Sequence, residues 1–165
     1  VFNKSNGDPT TILAVDPGKK ACGVAYFVDG NLMQCALRQG DDAFDTALSV
    51  AVWFTTMPYA VVEHLVVEGQ QIYGRPGTAD PNDLIPLAQV VGGIFARVPH
   101  VERHNPLPRQ WKGSVPKEIF TKRLRHALTP DEARLLSALK LPKSTEHNVL
   151  DAIGLGKWAL ACLKS

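Results

Sequence analysis

Cysteine is scarce in this chain: only Cys22, Cys35 and Cys162 occur among 165 residues. They lie far apart, form no C-x-x-C pair and leave an odd count, which argues against a disulfide framework and a zinc knuckle. The expected setting is therefore a reducing, intracellular compartment. Also missing is any run of about eighteen apolar residues, so no membrane-spanning helix is expected. The polar opening "VFNKSNGDPT" holds no signal-peptide core. Residues 1–10 are read as a flexible N-terminal segment and residues 11–165 as one domain. With 45% hydrophobic composition, that length suffices to bury a single core.

A large net charge is absent too, at +2 overall, but the charge is unevenly spread. Between Arg97 and His126 stand Arg97, Arg103, Arg109, Lys112, Lys117, Lys122, Arg123 and Arg125, opposed only by Glu102 and Glu118. Such a run is either a solvated helix face or a face that meets a polyanion, since phosphate contacts supply most non-specific nucleic-acid affinity.

The apolar runs "ILAVD", "GVAYFV" and "LMQCAL" are separated by glycine-containing breaks, the second of them "DGN", a strong hairpin signal. They predict three adjacent antiparallel strands. "DDAFDTALSVAVWFTTM" has a helical period through Phe44, Ala47, Leu48, Ala51 and Val52, opened by acids suited to a helix N-terminus. Short, valine-rich "HLVVEG" predicts a buried fourth strand ending at Glu68. The run Leu84 to Val98 predicts a helix despite Gly92 and Gly93. "HVERHNP" predicts a fifth strand, and "VPKEIFTKRLRHAL" a helix with Pro116 in its first turn. "TPDEARLLSAL" is a helix capped by Thr129, and "STEHNVLDAIGLGKWALACL" a long one after a Ser/Thr cap. Three strands, then helix, strand, helix, strand and helices imply an α/β mixed sheet whose parallel strands are joined by crossover helices. The functional crevice of such sheets lies at the carboxyl ends of the parallel strands.

Asp16 ends the first strand and Glu68 the fourth. By itself Asp16 has two readings, a turn former beside Pro17 and Gly18 or a metal- or phosphate-facing carboxylate. Two carboxylates at neighbouring strand ends repel unless one is protonated or a cation lies between them, and a hard divalent cation suits an all-oxygen site. Asp151 sits in the last helix among apolar neighbours, with Asn148 and His147 three and four residues earlier on the same face.

In order and spacing, "ILAVDPGKKACGVAYF", "HLVVEGQQIY", "RQWKGSVPKEIF" and "EHNVLDAIGLGKWAL" resemble the RuvC-type Holliday junction resolvases of the RNase H-like superfamily. The resemblance spans Ile12 to Ala161. It implies an RNase H-like five-stranded mixed sheet with helices on both faces. It also implies a homodimer that acts on four-way DNA junctions, and two divalent metals, Mg²⁺ or Mn²⁺, in each active site. Asp16, Glu68 and Asp151 then take three metal-ligand places, and Asn148 stands where the family has a fourth acid. His147 is a candidate to compensate or to transfer a proton. Lys112 and Lys117 match lysines that hold phosphates or neutralise transition-state charge, with Lys117 counted among the catalytic residues. Arg109, Lys122 and Arg123 extend the DNA-binding set, and Gln70, Gln71 and Tyr73 follow Glu68 where a loop would enter an opened junction. The second helix, with Leu87, Val90, Val91, Ile94 and Phe95, is the candidate dimer face. Competing readings are a nuclease for other branched DNA or RNA–DNA hybrids, and a junction-binding protein whose Asn148 has cost it catalysis. A fourth, an actin-like phosphotransferase, shares the Asp-Pro-Gly turn but needs a longer chain. Phage, organellar and bacterial origins all fit the pattern.

Overall fold

The computed structural model describes residues 9–70 and 81–163. Three strands open it, β1 (Thr11–Asp16), β2 (Ala21–Val28) and β3 (Asn31–Gln39), followed by helix α1 (Ala43–Phe54) and strand β4 (Val62–Val67). Then come α2 (Leu84–Arg97), β5 (His100–His104), α3 (Pro108–Lys112), α4 (Lys117–His126), α5 (Pro130–Ala138) and α6 (Lys143–Leu163). The sheet order is β3-β2-β1-β4-β5. β1 pairs antiparallel with β2, which pairs antiparallel with β3, whereas β1, β4 and β5 are parallel. This is the mixed sheet expected from the strand and helix order.

Local chemistry accounts for the elements. Asp29 and Gly30 both take positive φ, +49° and +83°, in the two-residue turn between β2 and β3, the geometry that Asp-Gly favours. Asp42 caps α1 by accepting from the Phe44 and Asp45 amides, and Thr129 caps α5 in a reciprocal box with Glu132. Thr10, assigned from sequence to the terminal segment, is tied to the turn, its N–H donating to Asp29 Oδ1 at 2.9 Å.

Strand alternation divides the core. Leu13, Val15, Val24, Leu65 and Val67 face α1 and α2, while Ile12, Ala14, Ala25, Phe27 and Val66 face α6 and the helices before it. Three expectations need correction here. Phe44, Leu48 and Val52 are exposed, and α1 buries Ala43, Thr46, Ala47, Val50 and Phe54 instead. This helix is apolar on most sides, so its rotation follows from docking on the sheet and α2. α6 begins at Lys143, so Ser144 and Thr145 lie inside its first turn, with the Thr145 hydroxyl donating back to the Pro142 carbonyl. On α2, Val90 and Ile94 are fully buried, with Val91 and Phe95 packed against the same core, so much of the candidate dimer face is interior.

Cys22, Cys35 and Cys162 form no disulfide with one another. Among the described residues no helix is long and apolar enough to cross a membrane.

Candidate active site

Parallel pairing of β1 with β4 places Val15 opposite Val67, so the residues that follow, Asp16 and Glu68, leave the sheet side by side. The Glu68 amide donates to the Val15 carbonyl at 3.1 Å, which holds the two strand ends together. By alternation both carboxylates belong to the α6 face, following Ala14 and Val66.

The third acid arrives because β2 carries a glycine at one position. Gly23 pairs with Asp16 across the β1–β2 ladder. A Cβ at Gly23 would lie 1.9 Å from the Asn148 carbonyl oxygen and 2.6 Å from the Val149 nitrogen, so only a glycine lets the α6 backbone rest on the sheet there. Asp151, one turn further along α6, is thereby buried at 5% exposure beside the strand ends.

Lys112, the last residue of α3, closes the group. Its Nζ lies 3.0 Å from Glu68 Oε2 and 3.0 Å from Asp151 Oδ2. The buried Trp111 indole donates to the same Glu68 oxygen at 2.7 Å, and its ring centroid lies 4.5 Å from the Lys112 ammonium. Phe120 meets that ring edge-on at 5.3 Å, fixing the indole that holds Glu68.

The electrostatics are those of a crowded acidic site. Burial first, then the charges of Asp151 and Glu68, push the Asp16 carboxyl well above its ordinary value, against the opposing pull of Lys112 and Lys117. Burial pulls the Lys112 ammonium down, but Asp151, Asp16 and Glu68 outweigh it and hold the lysine above its usual range. A carboxylate driven toward neutrality by burial and by neighbouring acids is a carboxylate short of cationic charge. All donors are oxygens, the choice of a hard divalent ion such as Mg²⁺, and Asn148 can add a carbonyl. The residues therefore fit a divalent metal. As a set, the oxygens of Asp16, Glu68 and Asp151 do not close to within 4.8 Å of one another, and Lys112 stands between two of them. Beside them opens a cleft of about 410 Å³ whose walls include Glu68, Gln70, Lys112, Lys117 and Asp151.

No protein-family model matches the sequence, and no curated protein does. Solved structures do match. RuvC of Thermus thermophilus in complex with Holliday junction substrate superposes with a TM-score of 0.61 at 17% identity, over 94% of this chain and 95% of that one. A second T. thermophilus RuvC structure gives 0.56 at 15%, over 94% and 96%. The yeast mitochondrial Holliday junction resolvase Ydc2 gives 0.58 at 11%, over 92% of this chain and 78% of that one. The chain has the RuvC-type, RNase H-like fold.

Within this RuvC-type fold the sequence-predicted residues fall into three groups. Asp16, Glu68, Asp151, Lys112, Lys117 and Gln70 come together around the cleft. Asn148 is half-buried on the approach of α6 to Gly23, and His147 lies in a shallow groove against Lys117, Glu118 and Lys122 of α4 rather than in the cleft wall. Glu146 is engaged by Arg125. Arg109, on α3, and Lys122 and Arg123, on α4, are exposed. Gln71 and Tyr73 lie outside the described residues.

Trp111 was not among the sequence-predicted site residues. It is buried in the core, and its indole N–H also orients Glu68. The available signal was that a buried indole N–H needs an acceptor, and the acid that supplies it lies forty-three residues away.

Proposed function

We propose that this chain is a metal-dependent, structure-selective DNA endonuclease that resolves four-way junctions by paired, symmetric nicks. The observation that carries this reading is the meeting of Asp16, Glu68 and Asp151, from three separate elements, with Lys112 at one cleft of a RuvC-type fold. Asp16, Glu68 and Asp151, with Asn148, would hold the metal, which when bound activates a water and stabilises the departing 3′-oxygen of a phosphodiester. Lys112 and Lys117 supply positive charge where a phosphate must approach three acids, and without it the backbone would be repelled. Trp111 holds Glu68 in one rotamer, and the seal of α6 on Gly23 holds Asp151 in place. Exposed Arg109, Lys122 and Arg123 extend the positive surface beyond the cleft, where they meet phosphates distant from the cut. A homodimer with two-fold symmetry is the assembly that suits paired nicks on opposed strands.

A second reading is favoured by Asn148 and by Lys112, which already neutralises two of the acids: a module that binds junctions without cutting them. One experiment separates the two. A labelled four-way junction is incubated beside linear duplex and RNA–DNA hybrid in Mg²⁺ and in Mn²⁺, with Asp16→Asn as control. Symmetric nicks confined to the junction and lost in the variant are the expected result. Tight binding with no cut in either metal establishes the binding module, and cleavage of the hybrid moves the substrate to RNA–DNA.

A further inference from the structure

A second constellation lies on the same face of the sheet, toward the edge. His64 of β4 pairs with Glu102 of β5, and Val66 pairs with His104, so all three polar side chains emerge on the α6 side in one patch. His64 Nδ1 lies 3.1 Å from His104 Nε2 and 3.4 Å from Glu102 Oε2, and His104 Nε2 lies 3.7 Å from that same oxygen. Among the described residues this is the sole triple of His, Cys, Asp or Glu whose ligand atoms lie within 4.8 Å of one another. His64 is four residues before Glu68, roughly 13 Å along the strand at about 3.3 Å per residue, so the patch is separate from the carboxylate cleft.

The triangle has the dimensions of a coordination face. A tetrahedral ion with bonds of about 2.0–2.1 Å places its ligands about 3.3–3.4 Å apart, and the three separations here bracket that figure. Two imidazoles and one carboxylate suit a borderline transition ion, whereas Mg²⁺ and Ca²⁺ prefer oxygen throughout. The ring edge of His64 away from the triangle faces Glu63, whose Oε1 lies 3.9 Å from Nε2. A carboxylate there favours the tautomer with the proton on Nε2, which makes Nδ1 the acceptor nitrogen of the ring. His64 is buried, while Glu102 is 59% exposed and His104 36%, so an ion can enter from solvent and keep a water as its fourth ligand.

We propose that His64, Glu102 and His104 form a Zn²⁺ site that clips the edge strand β5 to β4. On binding, His104 carries its one proton on Nδ1 instead of Nε2, exchanged through solvent, so both rings stay neutral, and two nitrogen bonds and one oxygen bond to the ion replace the hydrogen bond between His64 Nδ1 and His104 Nε2. β5 is poorly buried, and it leads through Asn105 and Pro106 into α3, which carries Trp111 and Lys112. The clip therefore steadies the wall of the cleft without touching its acids.

The test uses tag-free protein in millimolar Mg²⁺, which occupies oxygen-only sites, and titrates Zn²⁺, then Co²⁺ as a spectroscopic probe. A single Zn²⁺ per chain, the intense visible bands of four-coordinate Co²⁺ and a rise in Tm with Zn²⁺ are expected in the wild type and in Asp16→Asn. His104→Gln, at a half-buried position, and Glu102→Gln, at an exposed one, are each expected to lose binding by more than roughly 100-fold with an unchanged circular dichroism spectrum, since even an outer-shell partner is worth about 10–100-fold. Either variant suffices if the other fails to fold. Absence of Zn²⁺ binding in the wild type, retention in both variants, or loss in Asp16→Asn overturns the proposal, the last by assigning the ion to the carboxylates.

Discussion

Two polar clusters share one face of the sheet and differ in almost every respect. The cleft at the strand ends gathers three acids from β1, the residue after β4, and α6, around a lysine ammonium, with oxygens as its only donors. The edge patch gathers two imidazoles and one carboxylate from two paired strands, with ligand atoms 3.1–3.7 Å apart. In the first, electrostatics dominate: burial, and then the neighbouring carboxylates, push Asp16 toward its neutral form, and nearby cations such as Lys112 oppose the shift. In the second, geometry dominates, because pairing of adjacent strands sets the triangle before any ion arrives. A loose acidic site suits ions that come and go with a phosphate substrate. A compact nitrogen site suits an ion that stays.

The contrast can be broken most severely at Asp16. Asp16→Asn is expected to lower junction nicking by at least roughly 10³-fold. The same change should raise Tm in chelator. Because the folded-state pKa of Asp16 is raised, the native protein holds a proton the unfolded chain has released, and stability falls as pH rises beyond the ordinary aspartate range. The gain from Asn should accordingly be present at neutral pH and vanish below about pH 4. Thermal melts of both proteins across that range check the sign.

Gly23→Ala attacks the same site from the far side of α6. With 1.9 Å available between a new Cβ and the Asn148 carbonyl, the helix must move. Loss of nicking together with about 1–3 kcal/mol of stability, read from urea midpoints, is the expected outcome. An Ala variant as active as wild type would show that Asp151 tolerates the shift.

Lys112→Met should reduce nicking by roughly 10²–10³-fold, the range for removing one group aimed at developing charge. In chelator it should also cost about 1–3 kcal/mol, because Glu68 and Asp151 lose their shared donor, and Mg²⁺ should restore most of that. The stabilisation from Lys112 persists through neutral pH and disappears only as pH rises through its raised folded-state value, above the ordinary lysine range.

Smaller effects sharpen the picture. Trp111→Phe keeps the ring against Phe120 but removes the bond to Glu68, and a loss of roughly tenfold in nicking with a fall of several degrees in Tm is expected, since a net hydrogen bond to a charged group is worth about 1.5–3 kcal/mol. Asn148→Asp should preserve or raise metal-dependent nicking and tighten metal binding measured by calorimetry. Abolished activity would remove Asn148 from the ligand set.

Much of the architecture was written locally. The apolar run ending at Asp16, the Asp29-Gly30 turn and the Thr129–Glu132 cap each arise from neighbours in the chain, and short-range sterics and hydrogen bonding settle them wherever the rest of the protein goes. The pairing of Asp16 with Glu68 was also legible, because parallel strands in a mixed sheet bring their carboxyl ends together. Periodicity could not orient α1, whose apolar residues surround it, so exposure of Phe44 and burial of Val50 were decided by docking on α2 and the sheet. Nor could any local pattern reveal that Lys112 bridges Glu68 and Asp151, that Trp111 donates to Glu68, or that His64 meets His104 from forty positions away. Those contacts depend on strand register and on how closely α6 approaches Gly23, distances that exist only once the layers have packed.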